Sequence, residues 1–171
     1  GDVSFANVEI FSIDEYYPAP APSQSRNSRL YEELISKIDV KPENVHIPRH
    51  TEVKATITED NAAFDKLAKG LDLLVMGVGE KGQLGFNEAG SSEKSRTRSV
   101  LLSYNSRKRQ SVNFNGEIDE TPRIAITMGI STMLTAKKIV LIAWGEDKAE
   151  IVRKIVEDEI NPECPASYLQ R

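Results

Sequence analysis

The run Leu71-Asp72-Leu73-Leu74-Val75-Met76-Gly77-Val78-Gly79 constrains this chain more than any other segment. An almost continuous apolar stretch of strand length, closed by two glycines, has little to offer water on either face, so it reads as a buried strand in a parallel sheet. Lys138 to Trp144 has the same character and is broken by Gly145. Val8 to Ile13, Arg96 to Ser103 and Arg123 to Met128 read as further strands. Helical spacing appears between them. Leu30, Leu34, Ile35 and Ile38 predict a helix over 28–38, with Ser28 as N-cap and Glu32 and Glu33 near its positive end. A second helix is expected over 60–68, capped by Asp60 or Asn61 and closed by Gly70, and a third over 131–136. Ile151, Val152, Ile155 and Val156 mark a fourth over 147–159. Glu80 to Lys94 reads as a polar stretch, and the basic segment leading to Gly116 as irregular.

Strands alternating with helices predict an α/β, Rossmann-like fold, a mostly parallel sheet with helices on both faces and ligands beyond the carboxyl ends of its strands. With 171 residues, one domain over 1–171 is expected. The formal charge of −4 provides no field for nucleic acid or an anionic membrane, and the apolar runs are too short to span a bilayer. Cys164 is the single cysteine, and no charged start precedes an apolar signal core, so a cytoplasmic location is expected. Two histidines and one cysteine do not form metal-ligand spacing, and no cofactor is expected. His46 reads as strand packing and His50 as loop surface.

Three strand ends carry reactive residue types: Asp14-Glu15, Gly77 through Gln83, and Gly145 through Lys148. In a parallel sheet these meet at one edge, where carboxylates supply a base, glycines permit close backbone approach and a lysine balances a phosphate. Taken singly, each has a plainer reading: a tight turn at Gly77 and Gly79, a cap at Asp14, a solvated helix face at Lys148. On residue chemistry alone the plainer readings carry more weight.

A longer pattern changes that balance. Gly77-Val78-Gly79-x-x-Gly82-x-x-Gly85-Phe86-Asn87-Glu88-x-Gly90-Ser91, followed by Ser95-Arg96-Thr97-Arg98, resembles without gaps the signature of the glucosamine-6-phosphate deaminase family. There, Gly-x-Gly-x-Asp-Gly-His runs into Phe-Asn-Glu-Pro-Gly-Ser and then Ser-Arg-Thr-Arg. Ser12-Ile13-Asp14-Glu15-Tyr16 is similar to the family's Asn-Met-Asp-Glu-Tyr, and Thr127 to Thr132 to its Thr-x-Gly-x-Gly-Thr. Ala143-Trp144-Gly145-x-x-Lys148 resembles its glycine-lysine strand end, and Pro165 to Gln170 its Leu-Gln close. The resemblance implies a small phosphosugar ligand, conversion of glucosamine 6-phosphate to fructose 6-phosphate and ammonia, and assembly as a homo-oligomer. It places the C2 base at Asp14, a supporting carboxylate at Glu88, substrate and phosphate contacts at Gly77, Gly79 and Lys148, and effector-phosphate contacts at Arg96 and Arg98.

The departures are equally specific. Lys81 stands where the family has aspartate and Gln83 where it has the ring-opening histidine. Glutamine can hydrogen-bond a ring oxygen but cannot take up and return a proton at neutral pH. Lys81 is expected to invert the charge beside Glu88 and pair with it. Val112 occupies the position of a substrate-contacting arginine, with Arg107 and Arg109 out of register. The family's N-terminal phosphate loop precedes the Asp-Glu-Tyr strand, so the chain is expected to be a fragment lacking it. Three readings follow: a deaminase or isomerase relative whose Lys81 and Gln83 count against activity, a non-catalytic sugar-phosphate-binding or regulatory module, and, ranked last, a 6-phosphogluconolactonase-like hydrolase.

Overall fold

The computed structural model describes residues 3–48 and 54–171. His50 lies outside them. The chain runs through β1 (Ile10–Phe11), β2 (Asp14–Tyr17), α1 (Arg26–Glu33), β3 (Val45–His46), α2 (Lys54–Leu67) and β4 (Leu74–Gly77). It continues with β5 (Arg98–Leu101), α3 (Tyr104–Gln110), β6 (Ile124–Thr127), α4 (Ile130–Met133), β7 (Ile139–Ile142) and α5 (Ala149–Glu157). This is the expected α/β alternation. β1 pairs with β3 and β4 with β7 in parallel, Leu74 standing opposite Ile139. β2 and β5 flank β6 antiparallel, so Asp14 and Arg98 both face Thr127 across the ladder.

The main core joins Phe64 and Ala68 of α2, Leu74 and Met76 of β4, Met133 of α4, and Ile151 and Ile155 of α5, with Leu84 and Met128 between them. Burying Ile151 and Ile155 contributes roughly 1.5–3 kcal/mol each. A second cluster of Tyr16, Phe86, Leu102, Phe114 and Ala125 lies under the β2–β6–β5 leaf. The buried strand expected over 71–79 is buried on one face only: Leu74 and Met76 point into the core, while Val75 on β4 and Val140 and Ile142 on β7 remain exposed.

Four local expectations are corrected. Asp14 to Tyr17 form a strand rather than a strand's polar end, because Tyr16 packs in the second cluster while their backbone pairs with β6. α1 is capped by Ser25, whose hydroxyl accepts from Ser28 N at 3.1 Å, and Glu33 therefore falls in its last turn. α2 begins at Lys54, six residues before the expected start, and Gly70, at φ 77°, follows its end. The basic segment thought irregular contains α3, started by Ser103, which accepts from Ser106 N at 3.2 Å. Among the described residues, no helix is long and apolar enough to cross a membrane.

Candidate active site

Asp14, the first residue of β2, is buried with a side-chain exposure of 4%. Its Oδ1 accepts from Arg26 Nη1 at 3.2 Å, and its Oδ2 has no hydrogen-bond partner among the described residues. Burial pushes the carboxyl upward and outweighs the opposing pull of Arg26; Glu15 adds to the rise. Arg26 loses less solvent, and although burial works against its charge, Asp14, Tyr16 and Glu15 together raise it further. The pair thus holds a firmly cationic guanidinium beside a carboxyl with a strengthened hold on its proton. Glu15 is committed elsewhere: it accepts from Ser25 Oγ at 2.5 Å, Asn27 N at 2.9 Å and Arg26 N at 3.3 Å, tying α1 to β2.

The signature loop packs against the same carboxyl. Gly85 has φ 56°, and a Cβ there would lie 3.0 Å from Asp14 Oδ2 and 2.9 Å from Thr127 Oγ1. Only glycine fits that approach without strain. Phe86 N donates to Thr127 Oγ1 at 3.1 Å. Asn87, fully buried, donates to Leu84 O and Met128 O at 2.9 Å each and accepts from Arg98 Nη1 at 2.9 Å. Asn87 is therefore a structural pin between the loop, the end of β6 and Arg98.

The remaining site residues are distributed around this centre. The turn after Gly77 closes on itself through Gly79 N to Gln83 O at 3.0 Å, and Gln83 Oε1 accepts from Lys81 N at 3.0 Å. Gln83 thus spends its acceptor on its own loop. Lys81 is exposed, and among the described residues no ion pair joins it to Glu88, contrary to expectation; Glu88 Oε1 instead accepts from Ser103 N at 3.3 Å. Glu88 and Arg98 line one cavity of about 480 Å³ with Phe86, Ser91 and Ser92. Arg98 also reaches Ser91 Oγ at 3.3 Å, and burial lowers its pKa. Arg96 does not line that cavity and donates to Asp65 Oδ2 at 2.9 Å. Lys148 precedes α5 with Nζ 2.6 Å from Asp147 on its own turn; among the described residues no hydrogen bond or ion pair links it to Asp14 or Glu88.

Val112 is 76% exposed. Arg107 is consumed by Ile118 O and Thr121 O, whereas Arg109 reaches Glu80 at 3.4 Å, beside the glycine turn. His46 packs in β3, its ring stacked 4.4 Å from that of Phe11.

Two residues went unrecognised in the sequence. Arg26 occupies the first position of α1, where the helix dipole disfavours a cation, and that mismatch is a readable signal of an outside partner. Asp65, on α2, is buried and accepts from Thr97 Oγ1 at 2.6 Å, Thr97 N at 3.1 Å, Thr132 Oγ1 at 2.5 Å and Arg96 Nε. Burial alone would raise its carboxyl, but these bonds together hold it below its usual range. Nothing in the local sequence distinguishes it from an ordinary helical aspartate.

The sequence profile described as glucosamine-6-phosphate isomerases/6-phosphogluconolactonase matches residues 1–171. A glucosamine-6-phosphate deaminase from Hahella chejuensis is 44% identical over 99% of the chain and 65% of its own length. A putative glucosamine-6-phosphate deaminase-like protein from Bacteroides thetaiotaomicron is 41% identical over 98% of the chain and 26% of its own length. A solved monomeric glucosamine-6-phosphate deaminase superposes with a TM-score of 0.90 at 34% identity, covering 98% of this chain and 70% of that one. The chain belongs to the glucosamine-6-phosphate isomerase/6-phosphogluconolactonase family. It spans about a quarter of the Bacteroides relative and just under two thirds of the Hahella enzyme.

Proposed function

We propose that this chain carries a deaminase-like sugar-phosphate site that binds its ligand without deaminating it by the family's usual route. The observation that carries the reading is the fate of Gln83. At the position resembling the ring-opening histidine stands an amide that cannot cycle a proton, with its oxygen already accepting from Lys81 N at 3.0 Å. Asp14 remains as the carboxylate facing C2, Glu88 as the supporting carboxylate, Gly77 and Gly79 as the close-approach turn, and Lys148 as the phosphate countercharge at a helix start. Arg98, beside Glu88 and the serines of its cavity, keeps the effector-phosphate role implied by resemblance, while Arg96 is given over to Asp65.

The double substitution Lys81→Asp, Gln83→His tests the reading, in this chain and in any longer protein that carries it. Ammonia release from glucosamine 6-phosphate is expected to rise above that of the parent. An unchanged rate, with binding intact, would remove the two positions from the chemistry. A working deaminase is the second reading. It is favoured by Asp14 itself, whose burial, raised pKa and unpartnered Oδ2 suit a C2 base.

A further inference from the structure

Asp14 Oδ2 and Arg26 Nε are both buried, and among the described residues neither has a hydrogen-bond partner. Buried polar atoms are almost always satisfied, so an idle acceptor and an idle donor on two side chains already in contact mark a place made for a third group. Arg26 is held there firmly. Besides its 3.2 Å bond to Asp14 Oδ1, its guanidinium carbon lies 4.5 Å from the centre of the Phe86 ring and 5.5 Å from that of Tyr16. These contacts outweigh the unfavourable dipole at the first position of α1. Arg26, though not Asp14, lines a cavity of about 480 Å³ with Tyr16, Ser25, Arg29 and Gln110.

We infer that Arg26 biases this site toward a sugar phosphate with a neutral 2-hydroxyl and against one with a 2-ammonium group. The inference rests on the reading above, in which Asp14 faces the sugar's C2. A hydroxyl donates and accepts, so it can give its proton to Asp14 Oδ2 and receive the N–H of Arg26 Nε. An ammonium only donates: it can give a proton to Asp14 Oδ2 as the hydroxyl does, but it leaves Nε idle and sets a second positive charge beside a guanidinium that is partly withdrawn from water and already pairs with Asp14. The other nearby carboxylate, Glu15, does not offset this, because its oxygens are engaged by Ser25, Arg26 and Asn27 at the start of α1.

Glucose 6-phosphate and glucosamine 6-phosphate differ only at C2, so titration calorimetry with the two reads this contact alone. At about pH 6.5, where an amine of this kind is charged, the parent chain should bind glucose 6-phosphate roughly tenfold more tightly, equivalent to about 1.4 kcal/mol. Arg26→Gln should bring the two affinities within roughly twofold of each other, and Arg26→Lys, which keeps the charge, should retain the preference. Equal binding, or tighter binding of glucosamine 6-phosphate by the parent, overturns the role of Arg26 while leaving the site as a phosphosugar site. An unchanged ratio in Arg26→Gln does the same. Should Arg26→Gln lose its circular dichroism spectrum, the parent ratio and Arg26→Lys decide. Failure of the parent to bind either sugar removes the site reading and this inference together.

Discussion

Replacing Asp65 with alanine strands a buried polar network that joins three separate parts of the chain. The carboxylate of α2 accepts from Thr97 and Arg96 at the end of the signature and from Thr132 of α4, at separations of 31 to 67 residues. Alanine leaves Thr97 N and the hydroxyls of Thr97 and Thr132 without their acceptor, and each buried group left unpaired costs about 1–3 kcal/mol. The Arg96 side chain is 69% exposed, so its ion pair adds only about 0–1 kcal/mol. The terms are not independent, and roughly 3–5 kcal/mol in total is expected. With a urea slope of about 1–3 kcal/mol/M, the midpoint should fall by roughly 2 M. Far-UV circular dichroism is the appropriate probe, since Trp144 is 80% exposed and its emission would report little of the core. In a Thr132→Val background the same substitution should cost about 1–2 kcal/mol less. A midpoint shift below about 0.3 M, or full additivity with Thr132→Val, would refute the reasoning.

Three further outcomes follow from the same contacts. The folded pKa of Asp65 lies below 3.8, so its stabilisation is complete above that value and is lost as pH falls through the folded pKa; the gap between the parent and Asp65→Asn in urea should close at acid pH. Asp14 has the opposite sign: its folded pKa is raised, so its ionisation penalty appears as pH climbs above 3.8, and Asp14→Asn should gain stability relative to the parent across that climb. Gly129→Ala should unfold the chain or cost more than about 3 kcal/mol, because a Cβ there collides with the backbone of Ser95 and Arg96; recovery of soluble protein with a parental urea midpoint would contradict the packing.

Much of the fold was legible because apolar periodicity and glycine punctuation survive in the sequence. β4, β6, β7 and α5 all fall where their patterns put them. α3 was not legible: Tyr104 to Gln110 carries no apolar period, and the segment is fixed by the Ser103 cap and by Arg107 reaching Ile118 O. β2 was misread because its two acidic residues resemble a loop, yet one pairs with Arg26 and the other anchors the start of α1. At the site, the resemblance of Ser12 to Tyr16 pointed to Asp14, and that of Gly77 to Arg98 to Glu88 and to the Lys81 and Gln83 departures. It did not reveal Arg26 or Asp65, whose partners are set by tertiary approach and not by spacing along the chain.

Titration calorimetry of the parent chain with fructose 6-phosphate and glucosamine 6-phosphate, with ammonia followed in the same samples, tests the central claim most directly. Heat of binding with fructose 6-phosphate and no ammonia above the buffer rate from glucosamine 6-phosphate is the predicted result. Sustained ammonia release by the parent, abolished in Asp14→Asn, would contradict it and establish a working deaminase.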